Sequence, residues 1–207
     1  MEDQGVASED QVILAWLQAE IESVAFQQYI AGEPPNPVYL AQVLKASRKP
    51  NLGDAEQNAL RRKIITKTHG LGQGTLSFEG LANDLHWRKL RASSLEVGEL
   101  LYANRHPAWS VLAPVSRKVA EGATNVGHLF TGDLTNMLVL ALALKISESN
   151  PVPALPEVIC LKRPDGHLVL LEGHTRATAI VLEGHRFKKG VGIYVGEGPS
   201  VTSWAYL

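Results

Sequence analysis

Cysteine is almost absent from this chain of 207 residues. Cys160 stands alone, which excludes an intrachain disulfide and a cysteine-built zinc cluster. Neither sign of charge prevails. Twenty basic and 21 acidic side chains leave a formal net charge of −1, with no general pull toward DNA or a membrane surface. No apolar run approaches the ~20 residues that span a bilayer; the most apolar stretch, residues 137–144, is far shorter. The opening MEDQGVASEDQ is acidic and polar and lacks the pattern of a signal peptide. G-x-S-x-G is missing, no Ser-His-Asp arrangement is legible, and no internal repeat is visible. These absences point to a soluble cytoplasmic protein that neither spans membranes nor favours DNA.

A hydrophobic content of 45% with 20% charged residues is a globular composition that supports a proper core. Residues 1–7 read as disordered. Ser8 with Gln11 makes a capping box, and Ile13, Leu17, Ile21 and Val24 then recur on one helical face until Gly32 and Pro34-Pro35. Asn36-Pro37 opens a second helix with Leu40, Val43 and Leu44 inward, and a third runs from Asp54 to about Ile65. Gly70-Leu71-Gly72-Gln73-Gly74 suits a flexible connector or, alternatively, a ligand loop. It marks the expected boundary between an N-terminal helical segment, residues 1–80, and a main domain, residues 81–207.

In that main domain residues 87–91 alternate like a strand. Ser93 with Glu96 forms a second capping box, predicting a helix over residues 95–102. Trp109, Leu112 and Val115 recur at spacing three. Gly132-Asp133 caps a helix over residues 134–147 that is apolar on all sides and therefore expected to be buried. Residues 158–161 and 167–171 read as a hairpin around the turn Arg163-Pro164-Asp165-Gly166, followed by a helix from His174 to Gly184 and a strand over residues 191–195. The last dozen residues read as a tail or edge segment.

The chemistry concentrates where LVLLEGHTRATAIVL passes from strand to helix. A helix start exposes unpaired N–H groups and a partial positive charge. Gly173 allows close approach of a ligand. His174, Thr175 and Arg176 add an imidazole, a hydroxyl and a two-pronged cation, together suited to phosphate. Glu172 can hold Mg2+ or accept a proton, or simply cap the helix start. His174 can donate to phosphate, act as acid or base, or merely pack. Farther away, Ser116 and Arg117 offer a second phosphate contact or a solvated basic turn. Glu96 or Glu99 offers a general base or a solvated helix face. Tyr102 and Trp109 suit nucleobase stacking or core packing. His167, His174 and His185 lack zinc-ligand spacing.

A strand ending in Glu172-Gly173-His174-x-Arg176-x-x, preceded by a hairpin and followed by helix, Gly184 and strand, resembles the ParB/sulfiredoxin superfamily. Ala177 belongs to the same match, and the upstream helix with Pro151 fits the approach to the motif. The resemblance spans roughly residues 87–195 and leaves residues 1–80 unmatched. It implies an α/β (α+β) fold with a small mixed sheet and flanking helices, and nucleotide phosphates at this helix start. Sulfiredoxins carry cysteine after the motif glycine, where this chain has His174. Partition ParB proteins add a DNA-binding helix-turn-helix, for which only about a dozen residues remain here. The free-serine kinases carry Asp-Gly-His-His-Arg, and Glu172-Gly173-His174-Thr175-Arg176 lies nearest to that, with Glu for Asp and Thr for the second His. The expectation is a phosphotransferase using ATP or ADP with Mg2+ on a small-molecule hydroxyl. Glu172, His174 and either Glu96 or Glu99 are its catalytic candidates. Gly173, His174, Thr175, Arg176, Ser116 and Arg117 are its phosphate-binding candidates. The alternative is a ParB-like nucleotide-binding or nucleic-acid-associated regulatory module without turnover.

Overall fold

The computed structural model describes residues 1–21, 23–31 and 36–207. The strands β1 (Glu2–Ala7), β2 (His86–Ala92), β3 (Val158–Lys162), β4 (Leu168–Glu172) and β5 (Val191–Glu197) form one mixed sheet in the order β1-β2-β5-β3-β4. Only β3 and β5 pair in parallel. Nine helices surround the sheet among the described residues: α1 (Glu9–Glu20), α2 (Val24–Ala31), α3 (Pro37–Arg48), α4 (Ala55–His69), α5 (Ser94–Gly98), α6 (Pro107–Leu112), α7 (Val119–Asn125), α8 (Thr135–Glu148) and α9 (His174–Leu182). None of these is long and apolar enough to cross a membrane.

β3 lies inside the sheet, and its first four residues are all buried, as expected where both faces of a strand are covered. Its side chains alternate between two cores. Ile159 and Leu161 join Trp16 of α1, Trp87 and Tyr194; Val158 and Cys160 join Ala177 and Ile180 of α9, Leu100 and Tyr102. The segment before residue 80 thus supplies one cover of the sheet as well as its edge strand.

Residues 1–7 are ordered, contrary to their disordered composition. β1 pairs antiparallel with β2, with a register shift between Asp3 and Gly5, and Asp3 makes an ion pair with Arg88. An edge strand needs little apolar content when its backbone is paired and its acids face a basic neighbour, here Arg88, Lys89 and Arg91. The first helix is also shorter than its periodicity predicted. Ser8 and Gln11 form the capping box, but α1 stops at the Ile21 cap and α2 begins at Val24. The Gln27 side chain donates to the Ile21 carbonyl (2.7 Å), and the Ser23 hydroxyl accepts from Phe26 N (3.4 Å), so local side chains replace helix partners at the break. The expected stop at Gly32 and Pro34-Pro35 lies outside the described residues.

Asn36 caps α3 and Asp54 caps α4, which runs on to His69. The glycine-rich stretch is a close-packed turn. Gly70 caps α4 at φ +77°, a Cβ there would collide with Thr75, and Leu71 is buried. Ser93 and Glu96 form their capping box, but α5 is only one turn long. The chain then extends, and Leu101 exchanges hydrogen bonds with Leu168 O and Leu170 N beside β4 (2.9 and 2.8 Å). That short piece covers the sheet edge, which an exposed strand leaves open to mispairing. The terminal residues are no loose tail: Val201 and Trp204 enter the core, and Trp204 Nε1 donates to Ser77 O (2.9 Å).

α8 departs most from expectation. It packs against α9 through Val139, Ala143 and Ile146, which are buried, while Leu134, Met137, Leu138, Leu140 and Leu144 are exposed. Val115, expected to share the Trp109 face, is exposed as well.

Candidate functional site

The hairpin β3–β4 turns at Gly166 (φ +89°) and delivers Glu172 to the end of a buried strand. Gly173 then takes φ +100°, ψ +23°, a left-handed conformation open to glycine. A Cβ there would lie 3.0 Å from Arg176 Nη2 and 3.4 Å from Val158 Cα. The glycine therefore turns the chain and leaves room for the guanidinium. No side chain caps α9, so its first N–H groups remain available to an anion.

The start of α9 opens on a cleft of about 840 Å³, a volume suited to a small-molecule ligand. Glu172, Gly173, His174, Thr175 and Arg176 all line it. Opposite stand Gln18 to Ile21 at the end of α1, with Ser47 and Arg48 of α3. Leu138, Leu142 and Lys145 of α8 and residues 153–157 complete the walls. A smaller polar cavity of about 180 Å³ lies behind, sharing Glu20, His106, Glu172 and His174 and adding Thr68, His69, Ser77 and Arg105.

Arg176 is 9% exposed. Its Nη2 lies 3.4 Å from Glu172 Oε1 and 3.4 Å from the Glu157 carbonyl, while Nε has no partner. His174 stacks in an aromatic cluster with Trp109 (5.5 Å between centroids) and Tyr102 (6.0 Å). Tyr102 and Thr178 hydroxyls share a hydrogen bond (2.7 Å), and Thr178 also donates to His174 O (2.8 Å), fixing the first turn of α9. His174 Nε2 is sealed from solvent and unpartnered. Burial, reinforced by His106, Arg176 and Arg105, pushes its pKa down to about 3, so the imidazole is neutral at physiological pH.

Glu20 is the residue that sequence reasoning missed. Burial first, and then the charge of Glu172, raise its pKa to about 7, with Arg176 opposing. Behind it, the Thr68 hydroxyl gives its proton to Ile64 O (2.8 Å), so His69 Nδ1 donates to Thr68 (2.6 Å). The remaining lone pair on His69 Nε2 faces Glu20 Oε1 at 3.9 Å. Burial and Arg105 lower the His69 pKa to about 4, so His69 provides no compensating positive charge near neutrality. One signal for Glu20 was present in the sequence. An acid in the last turn of a helix opposes the helix dipole, and α1 carries no basic residue there.

Glu96, Glu99, Ser116 and Arg117 do not reach the cleft wall. Glu96 accepts from Ser93 and pairs with the Met1 amino group; Glu99 pairs with Lys118 (2.6 Å). The Ser116 hydroxyl donates to Glu121 (2.6 Å), and Arg117 donates to Tyr102 O through Nε and Nη2 (3.1 and 2.6 Å). These groups hold their own turns together. Tyr102 and Trp109 are buried; Trp109 reaches the cleft, whereas Tyr102 packs behind it.

Among the described residues no group of three or more His, Cys, Asp or Glu side chains is placed to hold a metal ion. Glu20, Glu157 and Glu172 line the cleft, and Mg2+ is commonly held by one or two carboxylates together with ligand phosphates and water. No protein-family model, curated protein or solved structure matches this chain.

Proposed function

We propose that the protein is a nucleotide-dependent phosphotransferase acting on a small-molecule hydroxyl, with ATP or ADP as donor and Mg2+ as the accompanying ion. The observation that carries this reading is the meeting, across one cleft, of an uncapped helix start and a carboxyl group poised near neutrality. The resemblance of Glu172-Gly173-His174-Thr175-Arg176 to nucleotide-binding ParB/sulfiredoxin motifs supports it from the sequence.

The N–H groups at the start of α9 and the Arg176 guanidinium would hold the phosphates. Neutral His174, its Nε2 sealed from solvent, would brace the first turn of α9 through its stacking on Trp109 and Tyr102. Mg2+ held by Glu172 would draw charge from the phosphate oxygens. Ionised Glu20 would take the proton as the acceptor oxygen forms its bond to the terminal phosphorus. The bond from that phosphorus to the bridging oxygen breaks, and its electron pair leaves with the shortened nucleotide. Such catalysis rests mainly on positioning and charge stabilisation.

One observation favours a second reading. Arg176 is already paired with Glu172, an arrangement that also suits a nucleotide-binding module without turnover. Incubation with labelled ATP or ADP, Mg2+ and a panel of hydroxyl metabolites separates the two. The phosphotransferase reading expects labelled product, loss of nucleotide binding in Arg176→Ala with the fold intact, and retained binding but lost transfer in Glu20→Gln. Nucleotide binding without product supports the module; no nucleotide binding sinks both.

A further inference from the structure

α8 carries more apolar surface than its own fold uses. The inward stripe packs toward α9, Val139 beside Ala177 and Ile180, Ala143 and Ile146 beside Ala179 and the 152–155 segment. The opposite face presents Phe130, from the preceding loop, with Leu134, Met137, Leu138, Leu140 and Leu144, each between 44% and 81% exposed. The loop presenting Phe130 is well tied. Asn136 donates to Val126 O and Leu129 O (both 2.6 Å) and accepts from Thr131 N (3.1 Å). If a large apolar residue offers roughly 200 Å² when fully exposed, these six present on the order of 700 Å². That exceeds the roughly 300–600 Å² of a typical monomer's largest apolar patch and approaches the roughly 800 Å² per partner of a standard interface.

We infer that the outer face of α8 is the interface between two copies of this chain, packed antiparallel about a two-fold axis. Leu134, Met137, Ala141 and Leu144 follow the 3-4-3 spacing of a helix-pairing seam. That seam is complementary to itself when reversed. Leu134 meets Leu144 of the second copy at both ends, and long Met137 lies opposite small Ala141 in the middle layers. Leu138 and Leu140 flank the seam on either side. Asp133 and Glu148, the acids at the two ends of the element, bring no like charge into those layers. A lipid surface is a poorer occupant, since membrane-lying helices carry a strongly basic polar face and Lys145 is the only basic residue on α8. Leu138 also lines the cleft, so the second copy would stand beside its mouth. The inference is independent of the proposed phosphotransfer.

The test is the mass of the full chain in solution by light scattering and sedimentation at micromolar concentration, with far-UV circular dichroism as the fold control. The expected result is a dimer. Met137→Glu and Leu144→Glu should each weaken it by roughly tenfold or more, while Leu95→Glu, at an 84% exposed position on α5, should leave it intact. Register is read by cross-linking. Leu134→Cys combined with Leu144→Cys should oxidise to a covalent dimer, with buried Cys160 unable to compete. Each single variant should not, because like positions would sit about 15 Å apart along the helix, beyond the roughly 7 Å limit of a disulfide. A monomer throughout, a dimer indifferent to the two glutamates, a double variant that fails to cross-link, or a monomer that binds phosphatidylcholine vesicles through this face each overturns the inference.

Discussion

α8 and α9 are neighbours, and both are rich in apolar residues, yet their burial is reversed from what composition alone would predict. α8 contains MLVLALAL and leaves much of it in solvent. α9 contains Arg176 and Thr178 and has both buried, together with Ala177, Ala179 and Ile180. The difference follows from where each helix enters the fold. α9 leaves a buried strand through a single glycine and is laid at once across the sheet face. α8 is a second layer resting on α9, with one stripe to bury. Inside α9 the Thr178 hydroxyl pairs with Tyr102 and Arg176 Nη2 with Glu172, while Arg176 Nε and His174 Nε2 stay without partners.

The largest effect expected from this contrast is at Ile180. Ile180→Ala should cost about 3 kcal/mol by urea unfolding, since the side chain is 1% exposed between α9 and the sheet; a loss below 1 kcal/mol would remove the basis of the comparison. Next comes Glu20, which faces the start of α9. Its ordinary value of 4.5 is raised to about 7 in the folded protein. The folded state therefore binds the extra proton between those values, and stability falls as pH rises through that window, by up to about 3 kcal/mol. Glu20→Gln should flatten this fall, with a gain over the parent protein at pH 8 that vanishes at pH 4. The proposed transfer activity should run the other way, rising with pH through about 7 as Glu20 ionises. Thr178→Val should cost about 1–2 kcal/mol by orphaning the buried Tyr102 hydroxyl, and Tyr102→Phe in the same background should recover part of that loss. The smallest effect belongs to α8. Leu140→Ser, measured dilute enough to keep the chain monomeric, should change stability by less than about 0.5 kcal/mol.

The parts legible in the sequence were those decided within a few residues. The two capping boxes, the caps at Asn36 and Asp54, and the hairpin leading through Gly173 into α9 are all local agreements of residue type with backbone geometry. The illegible parts depend on distant partners. β1 is ordered by a strand some 80 positions later, and its own composition says nothing of that. The exposed face of α8 cannot be told from a buried one by apolar content, because periodicity reports which sides are greasy and not how many neighbours arrive to cover them. In the cleft, the Glu172 to Arg176 run was visible because it is contiguous. Glu20 comes from a helix on the far side of the sheet, and Glu96 and Glu99 were the nearer acids in sequence but are occupied elsewhere.

The ion pair between Arg176 and Glu172 gives the cleft a built-in rival for any incoming anion. Under the proposed function, recognition there would be an exchange of partners. A bare phosphate would have to draw the guanidinium away and strand the Glu172 carboxylate in a half-buried place. A phosphate arriving with its own divalent cation would leave neither charge widowed, since the cation would take over Glu172 as the phosphate took over Arg176. The resting pair would thus discriminate between a ligand's forms before any reaction began, favouring the metal-laden salt over the free anion.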